Sequence, residues 1–178
     1  SRLTRFDPEL VQQDLRVRER VSQLDTSRFV IALADDAEAA LEKNDAIHAR
    51  LEEARASGAL AGTRSLHAFL WSAELQRRNR ELLAGMPDLY PRLDAAFAAE
   101  GFRPGSFRSF AEALEAPPPA PLALAELQAS PLADLLLPFV FELDGRVAVV
   151  TYLRGLRDPE AVRGALAGLD EVHLLDQH

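Results

Sequence analysis

Four histidines, His48, His67, His173 and His178, are the side chains best able to move a proton or hold a metal near neutral pH. None falls at the H-x-x-x-H spacing that places two imidazoles on one helix face. His67 and His173 can meet only if their strands pair, and the reading for all four is an ordinary structural histidine. Ser65 and His67 furnish two letters of a Ser-His-Asp triad. No G-x-S-x-G elbow accompanies them, and triads are defined by geometry rather than by possession of the residues. The adjacent pairs Asp35-Asp36 and Glu52-Glu53 are not shared-proton dyads, because neighbours on a helix point in different directions. The chain contains no cysteine. Thiolate zinc sites, disulfide frameworks and thiol nucleophiles are therefore excluded. No catalytic residue, cofactor-binding residue or metal ligand emerges, and no enzyme is expected.

The stretch RFVIALADDAEAALEKNDAI, residues 28–47, reads as a strand running into a helix. Such a turn holds phosphate when glycines let backbone N–H groups approach the anion. Here the turn is Ala34-Asp35-Asp36-Ala37, without glycine and with two carboxylates over the positive end of the helix. The expected role is helix capping. Large apolar groups offer a different chemistry. Phe69 and Trp71 end the next apolar run, and Phe107 and Phe110 sit in a short amphipathic helix. Together they suggest a path or groove for a greasy ligand, set against the plainer reading of core packing. Arg77, Arg78 and Arg80 read as an exposed basic helix face.

The elements that position these residues follow from periodicity and punctuation. Residues 7–24 read as a lead-in helix capped by Asp7, with Leu10, Val11, Leu15, Val17 and Val21 as a loose apolar stripe. RFVIALA is β-rich and almost wholly apolar, as in a central strand. The following helix places Ala37, Ala40, Leu41, Ile47, His48 and Leu51 near one face and stops at Gly58. GTRSLHAFL, residues 62–70, reads as a second strand with Leu66 turned inward together with Phe69 or Ala68. Ser72 opens a series of helices that runs past the stiff APPPAP joint at 116–121 to about residue 137. FVFELDGRVAVVTYL, residues 139–153, is a hairpin about Asp144-Gly145. Asp158-Pro159 then opens a helix, and EVHLLD, residues 171–176, is a last strand.

The order β-α-β, helical insert, β-β-α-β predicts an α+β domain on the ferredoxin-like, split β-α-β plan. Residues 1–27 are the lead-in, 28–71 and 138–178 the sheet part, and 72–137 a large helical insertion in one domain. Length and composition suit a single folded unit: 178 residues, 48% hydrophobic and 27% charged. The net charge of −8 argues against nucleic acid as a partner. No run reaches the ~18 apolar residues of a membrane span, and no signal peptide is seen. The start at Ser1 raises the expectation of a piece of a longer protein.

The segments DPELVQQDLRVRERV, RFVIALADDAEAALEKNDAI, AGTRSLHAFLWSAELQRRN, GFRPGSFRSFAEAL, LALAELQASPLADLLLPFV and TYLRGLRDPEAV through LDEVHLLDQ resemble the extracytoplasmic loops of predicted bacterial exporters. These belong to the MMPL-like branch of the resistance-nodulation-division (RND) superfamily, and the second loop is the more similar. The resemblance runs through most of the chain. It implies a ferredoxin-like porter domain on the periplasmic side of the inner membrane. It also implies proton-driven export of hydrophobic or lipid-like molecules, with the rest of the transporter chain as partner. The proton relay of such exporters lies in their membrane spans, so no relay residue is carried over. The insertion at 72–137 departs from a typical porter unit. A competing reading is a ligand-binding or sensor module that acts through a partner domain. A hydrolase using Ser65 or a histidine ranks far behind both.

Overall fold

The computed structural model describes residues 28–176. The expected lead-in helix at 7–24, with its cap Asp7, and His178 lie outside the described residues. Five strands and two long-range helices form the body. Strand β1 (Arg28–Ala34) enters helix α1 (Ala37–Ala56), and β2 (Gly62–Arg64) follows. A single 3-10 turn, Leu66–Ala68, leads to helices α2 (Ala73–Ala84), α3 (Leu89–Ala99) and α4 (Arg108–Glu115). Helix α5 (Leu124–Gln128) and a second 3-10 turn, Ala133–Leu135, return the chain to β3 (Val140–Leu143) and β4 (Arg146–Arg154). Helix α6 (Pro159–Leu166) and β5 (Val172–Asp176) complete it.

The protein is therefore α+β. The sheet order is β2-β4-β1-β5, and β3 also pairs with β4. Every pairing is antiparallel. It follows that β1 and β2 run parallel with β4 between them, and β4 and β5 run parallel with β1 between them. Strands β2 and β3 share the edge of β4 away from β1. Strand β2 lies beside Tyr152–Arg154 and β3 beside Arg146–Val149.

Register explains which face is core. Val30 lies opposite Thr151 and Leu174, and Ala32 opposite Val149 and Val172. Side chains alternate along a strand, so these residues share one face, and α1 lies on it. Leu41, Ile47 and Leu51 of α1, at helical spacing, are essentially inaccessible. Each contributes about 1.5–3 kcal/mol by leaving water. Helix α6 packs beside α1 and adds Val162 and Leu166. The other face of the sheet carries Phe29, Ile31, Leu33 and Tyr152, all half-buried.

Local chemistry sets the boundaries. Asp36 Oδ1 accepts from the Ala39 N–H at 2.8 Å, so Asp36 caps α1. Asp35 instead pairs with Arg146 at 3.2 Å. Gly58, at φ +84°, ends the helix in a conformation that costs glycine little. Asp144 and Gly145 both have positive φ, +52° and +75°, as a tight two-residue hairpin requires. Asp158 Oδ1 accepts from Ala161 N–H at 2.9 Å, and Pro159 opens α6.

One expected element differs. The run 62–70 is a strand only as far as Arg64. Ser65 Oγ accepts from the His67 N–H at 3.2 Å and starts the 3-10 turn. A local side-chain bond thus displaces the sheet ladder. Leu66 turns inward as expected, but its inward companion is Leu70, while Phe69 stays 44% exposed.

The residues between the two halves of the sheet divide physically. From α5 onward they join the core through Leu124, Leu127, Leu136 and Phe139. Helices α2, α3 and α4 contain no buried residue and stand out from the body as an arm.

Candidate functional site

A groove of ≈ 700 Å³ opens where the arm leaves the body. Three walls meet there. Helix α2 supplies one, α4 a second and the proline joint at 118–122 the third, while residues 68–71 close the end nearest the sheet. The volume lies within the ~300–1,000 Å³ typical of small-molecule sites.

The walls are fixed by polar bonds rather than by burial. Two carboxylates of α1 receive the start of α2: Asp45 Oδ2 accepts from Ser72 N–H at 3.0 Å, and Glu38 Oε1 from Ala73 N–H at 2.6 Å. Ser72 Oγ then caps the helix by accepting from Leu75 N–H at 3.1 Å. Two acidic groups and a hydroxyl thus satisfy N–H groups that a helix start leaves open. Gln76 binds the proline joint as a strand would. Its Nε2 donates to Leu122 O and its Oε1 accepts from Leu122 N–H, at 2.9 and 2.8 Å, while Nε2 also reaches Trp71 O at 2.8 Å. Arg80 Nη2 donates to Ala113 O and Ala116 O at the end of α4, where a cation suits the exposed carbonyls. Arg77 is paired with Glu74 at 2.7 Å. The run Arg77, Arg78, Arg80 is therefore not one basic patch.

Phe69, Trp71 and Phe110 all line the groove, at 44%, 39% and 36% exposure. Phe107 does not. It stacks on Phe97 at 4.2 Å between ring centres, with Phe102 at 5.8 Å, in a separate cluster at the end of α3. An amphipathic helix would carry Phe107 and Phe110 on a common face only if both lay within it. Helix α4 begins at Arg108, and Phe107 has non-helical φ −109° and ψ 22°, so the two rings part. Phe69 also reaches inward, 6.0 Å from the buried ring of Phe139. Trp71 is held by Nε1 donating to His67 O at 2.8 Å.

Behind Trp71 lies a smaller recess, bounded by α1 and α2 and including Asp45, His48, His67, Ser72 and Arg78. The rings of His48 and His67 stack at 3.7 Å, nearly parallel. Asp45 Oδ1 stands 3.5 Å from His67 Nε2, too long for a strong hydrogen bond, and that oxygen is buried without a hydrogen-bond partner. Burial, and then the neighbouring His48, push the His67 imidazole down to about 4, against a smaller upward pull from Glu52. His67 is thus neutral at neutral pH. Burial raises the Asp45 carboxyl, and its bonds from Ser72 partly offset this.

The sequence does not announce this histidine pair. It suggests His67 with His173, whereas His173 sits on the outer strand β5 opposite Ile31, with β1 and β4 intervening. The available signals were local: Ser65 can cap a turn at His67, and Asp45 lies three residues before His48 on one helix face. Ser65 hydroxyl is engaged with the His67 backbone, and the His67 ring faces His48 and Asp45 instead. Among the described residues no group of three His, Asp or Glu side chains is arranged to hold a metal ion. No described helix is long and apolar enough to cross a membrane.

A groove with aromatic rings, Ala, Leu and Pro in its walls, and with Arg77, Arg80 and Glu81 also lining it, can hold an apolar molecule by dispersion and desolvation. Comparison with known proteins adds no relative. The chain matches no family model, no curated protein and no solved structure. The functional reading rests on the residues themselves.

Proposed function

We propose that this chain is an extracytoplasmic domain of an RND/MMPL-type membrane exporter, and that its groove takes a hydrophobic or lipid-like molecule on the way across the periplasmic face. The observation that carries the proposal is the ≈ 700 Å³ groove with Phe69, Trp71 and Phe110 in its walls. Exposed aromatic rings cost solvation free energy unless something covers them, and grouping them in one concavity favours a ligand over random surface.

The strand order supports a finer reading of the fold. Two split β-α-β units, β1-α1-β2 about β4 and β4-α6-β5 about β1, interlock in the order β2-β4-β1-β5. We read this order as the ferredoxin-like plan with β3 added beside β2, the plan expected of the porter units in that superfamily. In this reading the partners are the membrane spans and the other periplasmic loop of the same transporter. The arm is an elaboration that walls the substrate path, and nucleic acid is no partner for a chain of net charge −8.

The coding sequence on both sides of this segment tests the transporter reading. Spans of ~20 apolar residues on each flank support it. Polar flanks joined to an effector domain defeat it, and would turn the same groove into the ligand site of a sensor module.

A further inference from the structure

We propose that the stacked His48–His67 pair is an acid-sensitive latch on the groove: protonating both rings separates them, shifts residues 67–69 together with the Trp71 indole, and disrupts the groove wall that these residues form. The inference rests on the reading of the groove as a binding site, and it adds a control on that site.

The mechanical connection is short. His67 is the middle residue of the 3-10 turn, and its carbonyl receives the Trp71 indole N–H. Ala68, Phe69, Leu70 and Trp71 then form the end wall of the groove. Leu66 and Leu70 anchor this segment in the core, at 0% and 3% exposure. Residues 67–69 between the anchors are held by the ring stack, the turn, the indole bond and the contact of Phe69 with Phe139. A displaced His67 therefore moves the acceptor of Trp71.

The electrostatics decide the direction. Two neutral imidazoles stack without penalty, and one proton on the pair is tolerated beside carboxylates. Two imidazolium rings face to face at 3.7 Å repel in a partly dry site. The charged and titratable groups facing the pair are Asp45 and Glu52 of α1, with Glu42 at the rim, and Glu74 and Arg78 of α2. Glu74 is committed to Arg77, and Asp45 to the start of α2. The sheet behind presents Val149, Thr151 and Leu153 on this side, none of them charged. A proton on His67 is therefore opposed first by burial and then by the facing His48 ring, and only partly favoured by Glu52.

A His67 ring released from the stack and its burial returns to the ordinary imidazole value of 6.5, whereas in the closed stack it is held down to about 4. Below 6.5 the open form binds more protons than the closed one, so each further pH unit favours opening by up to about tenfold until pH falls to about 4. By linkage, a molecule in the groove favours the closed, deprotonated pair and resists acid.

Trp71 is the single tryptophan of the chain and reports this wall directly. The test follows its emission maximum, with far-UV circular dichroism on the same samples, from pH 7.5 to pH 4. The expected result is a red shift within that window while the far-UV signal holds, and loss of most of the shift in both His48→Phe and His48→Gln. In parallel, the uncharged apolar probe N-phenyl-1-naphthylamine is titrated at both ends of the range. Its affinity is expected to fall about threefold or more on acidification in the unaltered protein, and to change less than about twofold in His48→Phe. An emission maximum that stays constant until the far-UV signal collapses, or one that shifts equally in both variants, overturns the latch. A probe that fails to bind at pH 7.5 overturns the groove reading instead, and the Trp71 shift still decides the latch.

Discussion

The body and the arm use apolar residues in opposite ways. In the body, α1 places Leu41, Ile47 and Leu51 at 1% exposure or less. In the arm, α2, α3 and α4 bury nothing completely, and Leu82, Met86 and Phe102 stand 55%, 49% and 50% exposed. The body is therefore specified by burial, with caps and turns marking its edges. The arm is held by Gln76, Arg80 and the α1 carboxylates, bonds that fix geometry but contribute modest stability. A fold that leaves so much apolar surface on a polar-braced arm has it available for a ligand or partner. The groove lies where the two regimes meet.

The comparison breaks most visibly at the core. Phe139→Ala is expected to cost about 3–5 kcal/mol, because the ring is fully buried between Phe69, Tyr152 and Arg64. Phe102→Ala, in the arm, is expected to cost less than about 1 kcal/mol. Urea denaturation of both variants measures the contrast, and equal losses would remove the distinction between body and arm.

Acid comes next. The His67 ring is depressed in the fold, so the unfolded chain binds its proton first. Stability is fully present above pH 6.5 and falls as pH drops toward about 4. After allowance for partial solvent screening the total is about 2 kcal/mol. His67→Gln is expected to flatten that part of the pH–stability curve, measured by denaturation at fixed pH steps.

Asp45→Ala is expected to cost about 1–2 kcal/mol, since Ser72 N–H loses its acceptor at the joint of arm and body. Limited proteolysis of this variant is expected to cut within 73–121 sooner than in the unaltered chain. The smallest stability effect belongs to Gln76→Ala, at about 0.5–1 kcal/mol. Its larger consequence is expected in the groove: probe affinity falls as the proline joint loses its tie to α2, which equilibrium fluorescence reads.

What the sequence makes legible follows the same division. Strand β1, helix α1, the Asp144-Gly145 hairpin and the Asp158-Pro159 helix start carry strong local signals, and each element lies within a few residues of its reading. Local and tertiary preferences agree there. The strand signal at 62–70 is longer than the strand at 62–64 because Ser65 can cap as well as extend, and no neighbouring residue decides between the two. Phe69, Trp71 and Phe110 are visible as large apolar residues without an assigned core, whereas Phe107 depends on a helix boundary one residue away. Helix ends are the least determined feature of a sequence. The histidine stack joins residues nineteen apart across two elements and leaves no periodic trace.

The most direct test of the central claim uses Trp71 as an energy donor. The intact chain is titrated at pH 7.5 with N-phenyl-1-naphthylamine while Trp71 emission is followed. Binding in the groove predicts saturable energy transfer to one bound probe, and its loss in Phe110→Asp, a change at an exposed arm position that is expected to leave the far-UV spectrum unchanged. No saturable transfer, or transfer undiminished in Phe110→Asp, would contradict the account.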